Sequence, residues 1–313
     1  MGKGLLILIV GFAASFGILA QGKNQRYVES VDRMVDRYGG YTAKNASASG
    51  AYMALNQLYL DPTWRAGYNN LTIGGNVFSV SIQDQSQDAA LGPYKLRILA
   101  NGGNADGANL ADVTVFTKRF QEFAVWAKDT VQNVNSLDSL GNPNANLTIK
   151  NAPFMPKIDK AAMTDEAANQ NHLVGDELDI EIGGAHFHPS SGFPNNSFYY
   201  DSTATSTVPN VIHVNGDLHI RDGRIVYGIY IVEGDVLLNE NAKVRGVLYL
   251  PNPSSRVYNR ENASSQVQGG IVTWGEVDGD GYPINVRHRP KFLYELVSNY
   301  ASNNPPLRVL TWK

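Results

Sequence analysis

The chain has 313 residues, 29 acidic against 26 basic side chains, a net charge of -3, and no cysteine. The near balance of charge gives no electrostatic reason for a nucleic-acid partner, and the absence of cysteine excludes disulfides, thiol catalysis and Cys-based metal sites. Only 18% of the residues are charged, while Gly (30) and Tyr (16) are plentiful, a composition that suits a polar, exported surface.

The first element is apolar. No charge occurs between Lys3 and Lys23, and those nineteen residues span roughly 28 Å as a helix, about one bilayer core. Its bulk comes from Leu5, Leu6, Ile7, Leu8, Ile9, Val10, Phe12, Phe16, Ile18 and Leu19. Three readings compete: a secretory signal peptide cut after Ala20, a plain single-span anchor, and a retained helix that leaves the bilayer for the interior of an assembly. The residues that follow favour the third. Tyr27, Val28, Val31, Met34, Val35 and Tyr38 recur at helical spacing, and Glu29 and Arg33 form an i,i+4 pair. Gly39-Gly40 is expected to interrupt the helix, which then resumes through "TAKNASASGAYMALNQLYL" and stops before Pro62. A helix over about 4–60 would be roughly 85 Å long, a stalk rather than the core helix of one small domain. Gly11, Gly17, Ala13, Ala14, Ser15 and Ala20 permit close helix–helix approach. The large polar remainder places the amino terminus in the cytoplasm and the rest outside.

"NLTIGGNVFSVSIQDQ" (70–85) predicts a hairpin about Gly74-Gly75, and "YKLRILANGG" a further strand. "LADVTVFTKRFQEFAVWAKDT" reads as a helix, with Val113, Phe116, Phe120, Phe123, Ala124 and Ala127 near one stripe. Residues 131–170, rich in Asn, Asp and Ala, read as connection.

An internal repeat follows. "VIHVNGDLHIRDGRIVYG" (211–228) aligns with "IYIVEGDVLLNENAKVRG" (229–246), eighteen residues each. Gly216-Asp217 falls over Gly234-Asp235 and Gly228 over Gly246; Val214, Leu218, Ile220 and Val226 fall over Val232, Val236, Leu238 and Val244. Three short strands per repeat, each followed by a corner, would stack like on like and bury these eight side chains, the signature of a parallel β-helix. Two unrelated hairpins are the competing reading. "HLVGDELDIEIGGAHFHP" resembles an earlier, degenerate turn, and Pro251 and Pro253 interrupt a third copy. "KFLYELVSNY" predicts a short helix and "LRVLTWK" a final strand.

The opening "MGKGLLILIVGFAASFGILA", the long helix continuing through "AKNASASGAYMALNQLYLDPTW" and the terminal "LRVLTWK" together resemble the type IV pilin superfamily, in particular its large, minor-pilin-like (PilX-type) subunits. The resemblance covers the first 65 or so residues and the last dozen. It implies a surface-filament or secretion-apparatus component with no catalytic residues. In that family a leader ends in Gly and the fifth mature residue is Glu; with a cut after Gly4 the fifth residue here is Ile9.

Candidate sites are few. His186 and His188 in "HFH" share one face of a strand, but no third ligand accompanies them, and packed or exposed histidines are the preferred reading. Glu276, Asp278 and Asp280, in "GEVDGDG", are candidate ligands for Ca2+; the distal Glu of an EF-hand loop is missing, and a plain turn is the preferred reading. Asp217 and Asp235 repeat at one corner, which turn chemistry explains better than catalysis. Asn-x-Ser/Thr triplets stand at Asn45, Asn70, Asn146, Asn195 and Asn262.

The expectation is an α+β chain: a long N-terminal helix (1–60), an α/β head (61–170) and a β-helix-like C-terminal domain (171–313). It would be a non-enzymatic, cofactor-free subunit of a type IV pilus-like filament. It would be held in the inner membrane before assembly and exposed at the cell surface afterwards. Its expected partners are copies of itself, the pilus or secretion machinery and surface glycans, with no nucleic acid. The alternative is an exported carbohydrate-binding or carbohydrate-active β-helix protein with a cleaved signal peptide.

Overall fold

A computed structural model describes residues 2–104, 107–180, 198–200, 208–261, 263–301 and 304–313. The chain forms two compact units, residues 1–117 with 306–313, and residues 118–305. The expected boundary at 170/171 falls inside the second unit.

The first unit is one helix on one sheet. Helix α1 runs unbroken from Gly2 to Leu60, about 88 Å at the helical rise. Gly39-Gly40 does not interrupt it, because two adjacent glycines weaken a helix but remove none of its hydrogen bonds. The sheet is antiparallel, in the order Tyr68–Ile73, Asn76–Gln83, Lys95–Asn104, Gly107–Phe116, Arg308–Trp312. The first hairpin turns at Gly74 (φ 56°) and Gly75 (φ 81°), the two left-handed positions a tight two-residue turn needs. Ala51, Ala54 and Leu58 of α1 pack on Phe78, Val80, Ile98, Val113 and Val115.

Small residues set how close the helix lies. A Cβ on Gly50 would stand 2.7 Å from Phe78 Cδ2, and one on Gly102 would stand 2.8 Å from the Ala43 carbonyl oxygen. The run Ala43, Ala46, Ser47, Gly50, Ala51, Ala54 therefore forms a groove-filling face in near backbone contact with the strands.

The segment expected as a helix over 110–130 is not one. Gly107–Phe116 is a strand, Phe120–Glu122 a single 3-10 turn and Val125–Ala127 another strand. All six residues of the supposed stripe are buried, but Val113 lies in the core of the first unit and Ala124 and Ala127 in that of the second. Val113 and Val115 point inward with Asp112 and Thr114 between them, a period of two that pairing with Lys95–Asn104 makes decisive.

The second unit is a parallel β-solenoid of about six turns. Each turn has a short strand and a long one. The short strands, Leu178–Ile180, Leu218–Ile220, Val236–Leu238, Arg256–Tyr258, Glu276–Asp278 and Val131–Gln132, stack in that order. The long strands Ile225–Val232, Lys243–Leu250 and Ser265–Thr273 carry Gly228, Gly246 and Gly269 in mid-course, one over the next. An eight-residue strand closes a coil of eighteen only by bending, and Gly228 (φ 123°) and Gly269 (φ 151°) supply the conformation. Each coil thus has three sides: the short strand, the half of the long strand before the glycine, and the half after it.

The repeat alignment is the physical register. Leu218 pairs with Val236, Ile220 with Leu238, Val226 with Val244 and Val214 with Val232. All eight of these side chains lie in one core. The offset then stretches, Val236 pairing with Val257 and Val247 with Gly270, as corner insertions lengthen the coils. The described part of the degenerate turn joins the solenoid, with Leu178 and Ile180 paired to Leu218 and Ile220; residues 181–189 lie outside the described residues.

Residues 131–170 are more than connection. Val125, Val131 and Val134 pair in parallel with Ile271, Val277 and Ile284, so the segment before the solenoid forms its last coil. Helix α2 (Lys160–Asn169) then leads back to the opposite end, where Met163 and Ala167 are buried. Helix α3 (Pro290–Tyr300) covers the post-glycine side with Leu293, Leu296 and Tyr300, and Gly270 leaves the space that Leu293 takes.

Candidate functional surfaces

The two halves of α1 differ. From Ala43 to Leu58 one face is sealed against the sheet. From Ile7 to Tyr38 every residue is exposed except the half-exposed Gly22. Phe12, Phe16, Ile18 and Leu19 are each more than 60% exposed, and no part of the apolar window is buried. The helical backbone begins before Leu5 and Leu6. Tyr41, Tyr52 and Tyr59 are exposed along the helix, with Tyr52 4.8 Å from Trp312 of the edge strand between ring centres. Leaving so large a contiguous apolar surface in water is unfavourable, so it requires lipid, detergent or other helices.

The solenoid's short-strand side carries a row of paired ionised groups. The Asp217 carboxylate accepts the Asp235 N–H at 2.7 Å, and Asp235 in turn accepts the Arg256 N–H at 2.9 Å. These aspartates serve the corners. Arg256 reaches toward Glu276 at 4.0 Å, and Arg260 pairs with Asp280 at 2.9 Å. Of the calcium candidates, Glu276 and Asp280 therefore face guanidinium groups, and Asp278 lies beside Tyr258 and Gln132. The "DGDG" segment is a solenoid corner between parallel strands.

His186 and His188 lie outside the described residues, as do Asn195 and Asn262. Asn45, Asn70 and Asn146 are exposed. Among the described residues the fold makes a grouping that sequence spacing does not reveal: Glu177, Asp179 and His219 bring ligand atoms within 4.8 Å of one another. Arg221 sits among them, 3.1 Å from Asp179 and 3.2 Å from His219 Nδ1, while His219 meets Glu177 at 2.8 Å. The guanidinium already balances the carboxylate, so the group reads as an ion-pair cluster. The clue in the sequence was the eighth residue of the degenerate turn, Asp179, which lies under His219.

Two histidines are buried in the second unit. His172 and His288 are held below the usual imidazole range by burial, against hydrogen bonds to the Val211 and Gln121 carbonyls. At the α2 end, burial would raise the Glu233 carboxyl. Hydrogen bonds from Lys160 (2.6 Å) and His213 (3.1 Å) outweigh that and hold it below its ordinary value. Lys160 thereby ties α2 to the coil.

No family model matches the chain, and no curated protein matches it. Among solved structures, the competence-associated pilin ComZ from Thermus thermophilus is similar at 11% identity and a TM-score of 0.27, over 88% of this chain and 97% of that one. A TM-score of 0.27 does not establish a common fold.

Proposed function

We propose that the chain is a structural, non-enzymatic subunit of a type IV pilus-like extracellular filament, assembled through α1. Before assembly the apolar stretch lies in the inner membrane; afterwards identical helices of neighbouring copies surround it. The pilus or secretion machinery carries it from one state to the other. One observation carries this reading: α1 is continuous from a wholly exposed apolar half to a half locked on a sheet by glycine contacts. A signal peptide is made to be removed and has no reason to share a rigid helix with the folded unit.

The driving force is transfer of apolar surface. At about 25 cal/mol per Å², the bulky residues from Ile7 to Leu19 contribute on the order of tens of kcal/mol gross when hidden from water. That dwarfs any contact between polar surfaces. Orientation follows from the small residues Gly11, Ala14 and Gly17, which let neighbouring helices approach closely.

The test is electron microscopy of the purified full-length protein as detergent is withdrawn, with sequencing of its mature amino terminus. Filaments whose subunits retain residues 7–20, lost in Phe12→Asp and Phe16→Asp, are the expected result. A mature chain beginning near Gln21 that stays monomeric in plain buffer overturns the reading and leaves the exported carbohydrate-binding alternative.

A further inference from the structure

The pre-glycine side of the solenoid differs in charge from its short-strand side. Its outward residues form two columns across successive coils: Ile225, Lys243, Gln266, Asn285, Asn135, and Tyr227, Arg245, Gln268, Arg287, Leu137. Neighbours within a column stand about 4.8 Å apart, and the columns are about 6.6 Å apart. The two columns carry three cations, four amides and no carboxylate. Among the described residues no ion pair joins Lys243, Arg245 or Arg287 to an acid, whereas Asp179, Asp235, Glu276 and Asp280 of the short-strand side pair with Arg221, Arg256 and Arg260. Arg245 donates to the Tyr227 hydroxyl at 3.0 Å, and Arg287 donates to the Ser139 carbonyl at 2.7 Å, so both are oriented yet keep their charge uncompensated.

This surface runs into a concavity of about 610 Å³ at the solenoid's open end. Asn135 and Asn285 belong to both, and Asn133, Ser136, Asn144, Thr148 and Lys150 complete the polar lining, again without a carboxylate. Val131 and Val134 form its apolar floor, where the stacked core reaches the last coil.

We propose that this side and its terminal concavity bind an anionic polysaccharide. Lys243, Arg245 and Arg287 pair with acid groups along the polymer, and the amide columns exchange hydrogen bonds with its hydroxyls. The concavity receives a terminal or protruding sugar, with Lys150 facing its charge. Regular spacing along the columns suits a repeating ligand. Amides outnumbering cations favour a hydroxyl-rich polymer over DNA, whose recognition depends on neutralising many phosphates.

The experiment uses the full-length protein dispersed in detergent and fluorescent alginate oligosaccharides, with dextran of equal length and duplex DNA of equal charge as comparisons. Alginate is expected to bind, to weaken as NaCl rises toward about 0.5 M, and to exceed dextran. The triple variant K243Q/R245Q/R287Q is expected to lose at least about tenfold in affinity. It should fold, because Gln266 and Gln268 already occupy neighbouring rungs of the same columns. The control R256Q/R260Q removes two charges from the short-strand side and should bind alginate like the parent. Absence of alginate binding, equal binding of dextran, tighter binding of DNA, or unchanged affinity in the triple variant each overturns the proposal. So does loss of self-association in the triple variant without any polymer binding, which would assign the side to a neighbouring copy. Dispersed protein needs no filament to bind glycan, so this result and the microscopy can fail separately.

Discussion

Gly246 lies directly on Gly228, so that a Cβ added to Gly246 would run into the Gly228 carbonyl oxygen. Gly269 meets Gly246 in the same way one coil on. Three coils thus approach at the bend of their long strands more closely than any side chain allows.

Gly246→Ala should therefore force neighbouring coils apart. The obstruction is backbone, which cannot swing aside, so the cost is expected at about 2 kcal/mol or more. Thermal unfolding of the second unit, followed by circular dichroism, should fall by at least about 4 °C. A midpoint unchanged from the parent would show that the coils do not meet here.

The corner aspartates make a graded prediction. Asp217 accepts one backbone N–H of the next coil; Asp235 accepts the Arg256 N–H and also meets its Nε at 3.3 Å. Replacement by Ala should cost about 1–2 kcal/mol at each site, with Asp235→Ala the worse. Asp217→Asn keeps an acceptor and should cost clearly less than Asp217→Ala. Equal losses for Asn and Ala in urea titrations would mean that charge, not the corner hydrogen bond, matters.

Acid should weaken the second unit in two windows. His172 and His288 are depressed by burial, so the unfolded chain takes up protons near pH 6.5 while the folded chain resists. The stability tied to these neutral imidazoles is present above about pH 6.5 and is lost as pH falls through their lower folded values. Asp138, held down by hydrogen bonds from Asn142 and the following turn, and Glu233, held down by Lys160 and His213, add losses only below about pH 4.5. Urea midpoints at pH 7.5 and 5.5 should differ, and His288→Gln should shrink the difference. Identical midpoints at those two pH values contradict the burial of both rings.

Gly102 makes the matching point in the first unit. Its Cβ would strike the α1 backbone at Ala43, Ala46 and Ser47, so Gly102→Ala should push the helix off its sheet and lower stability by about 2 kcal/mol. Gly74→Asn is the comparison: nothing lies within 4 Å of that site, and Asn accepts its left-handed turn. Amide exchange in Lys95–Asn104 should rise in the first variant and not in the second. The reverse order would refute the close-packing account.

Much of this architecture was legible in the residues themselves, because it is local. Nineteen uncharged, mostly apolar positions followed by helical spacing specify a helix. Gly74-Gly75 between alternating residues encodes its own turn. The two eighteen-residue units carry Gly-Asp and the apolar positions in one register, and parallel stacking demands that like lie on like. The candidate calcium ligands were harder, because a ligand set is a statement about space: Asp280 meets Arg260 from the preceding coil, and Glu177 meets His219 across more than forty residues.

What only the tertiary structure decided is what depends on distant partners. Residues 107–116 satisfy a helical stripe and a two-residue alternation at once, and the sheet edge of Lys95–Asn104 selects the strand. Val125, Val131 and Val134 bear no repeat signature, yet Ile271, Val277 and Ile284 offer an unpaired edge and an open core that they close. Likewise, only winding the chain separates its near-neutral charge into a side of matched ion pairs and a side of unopposed cations. Local hydrogen bonding and periodicity are written in neighbouring residues; edge pairing and surface charge are set by segments that meet only after the chain has folded.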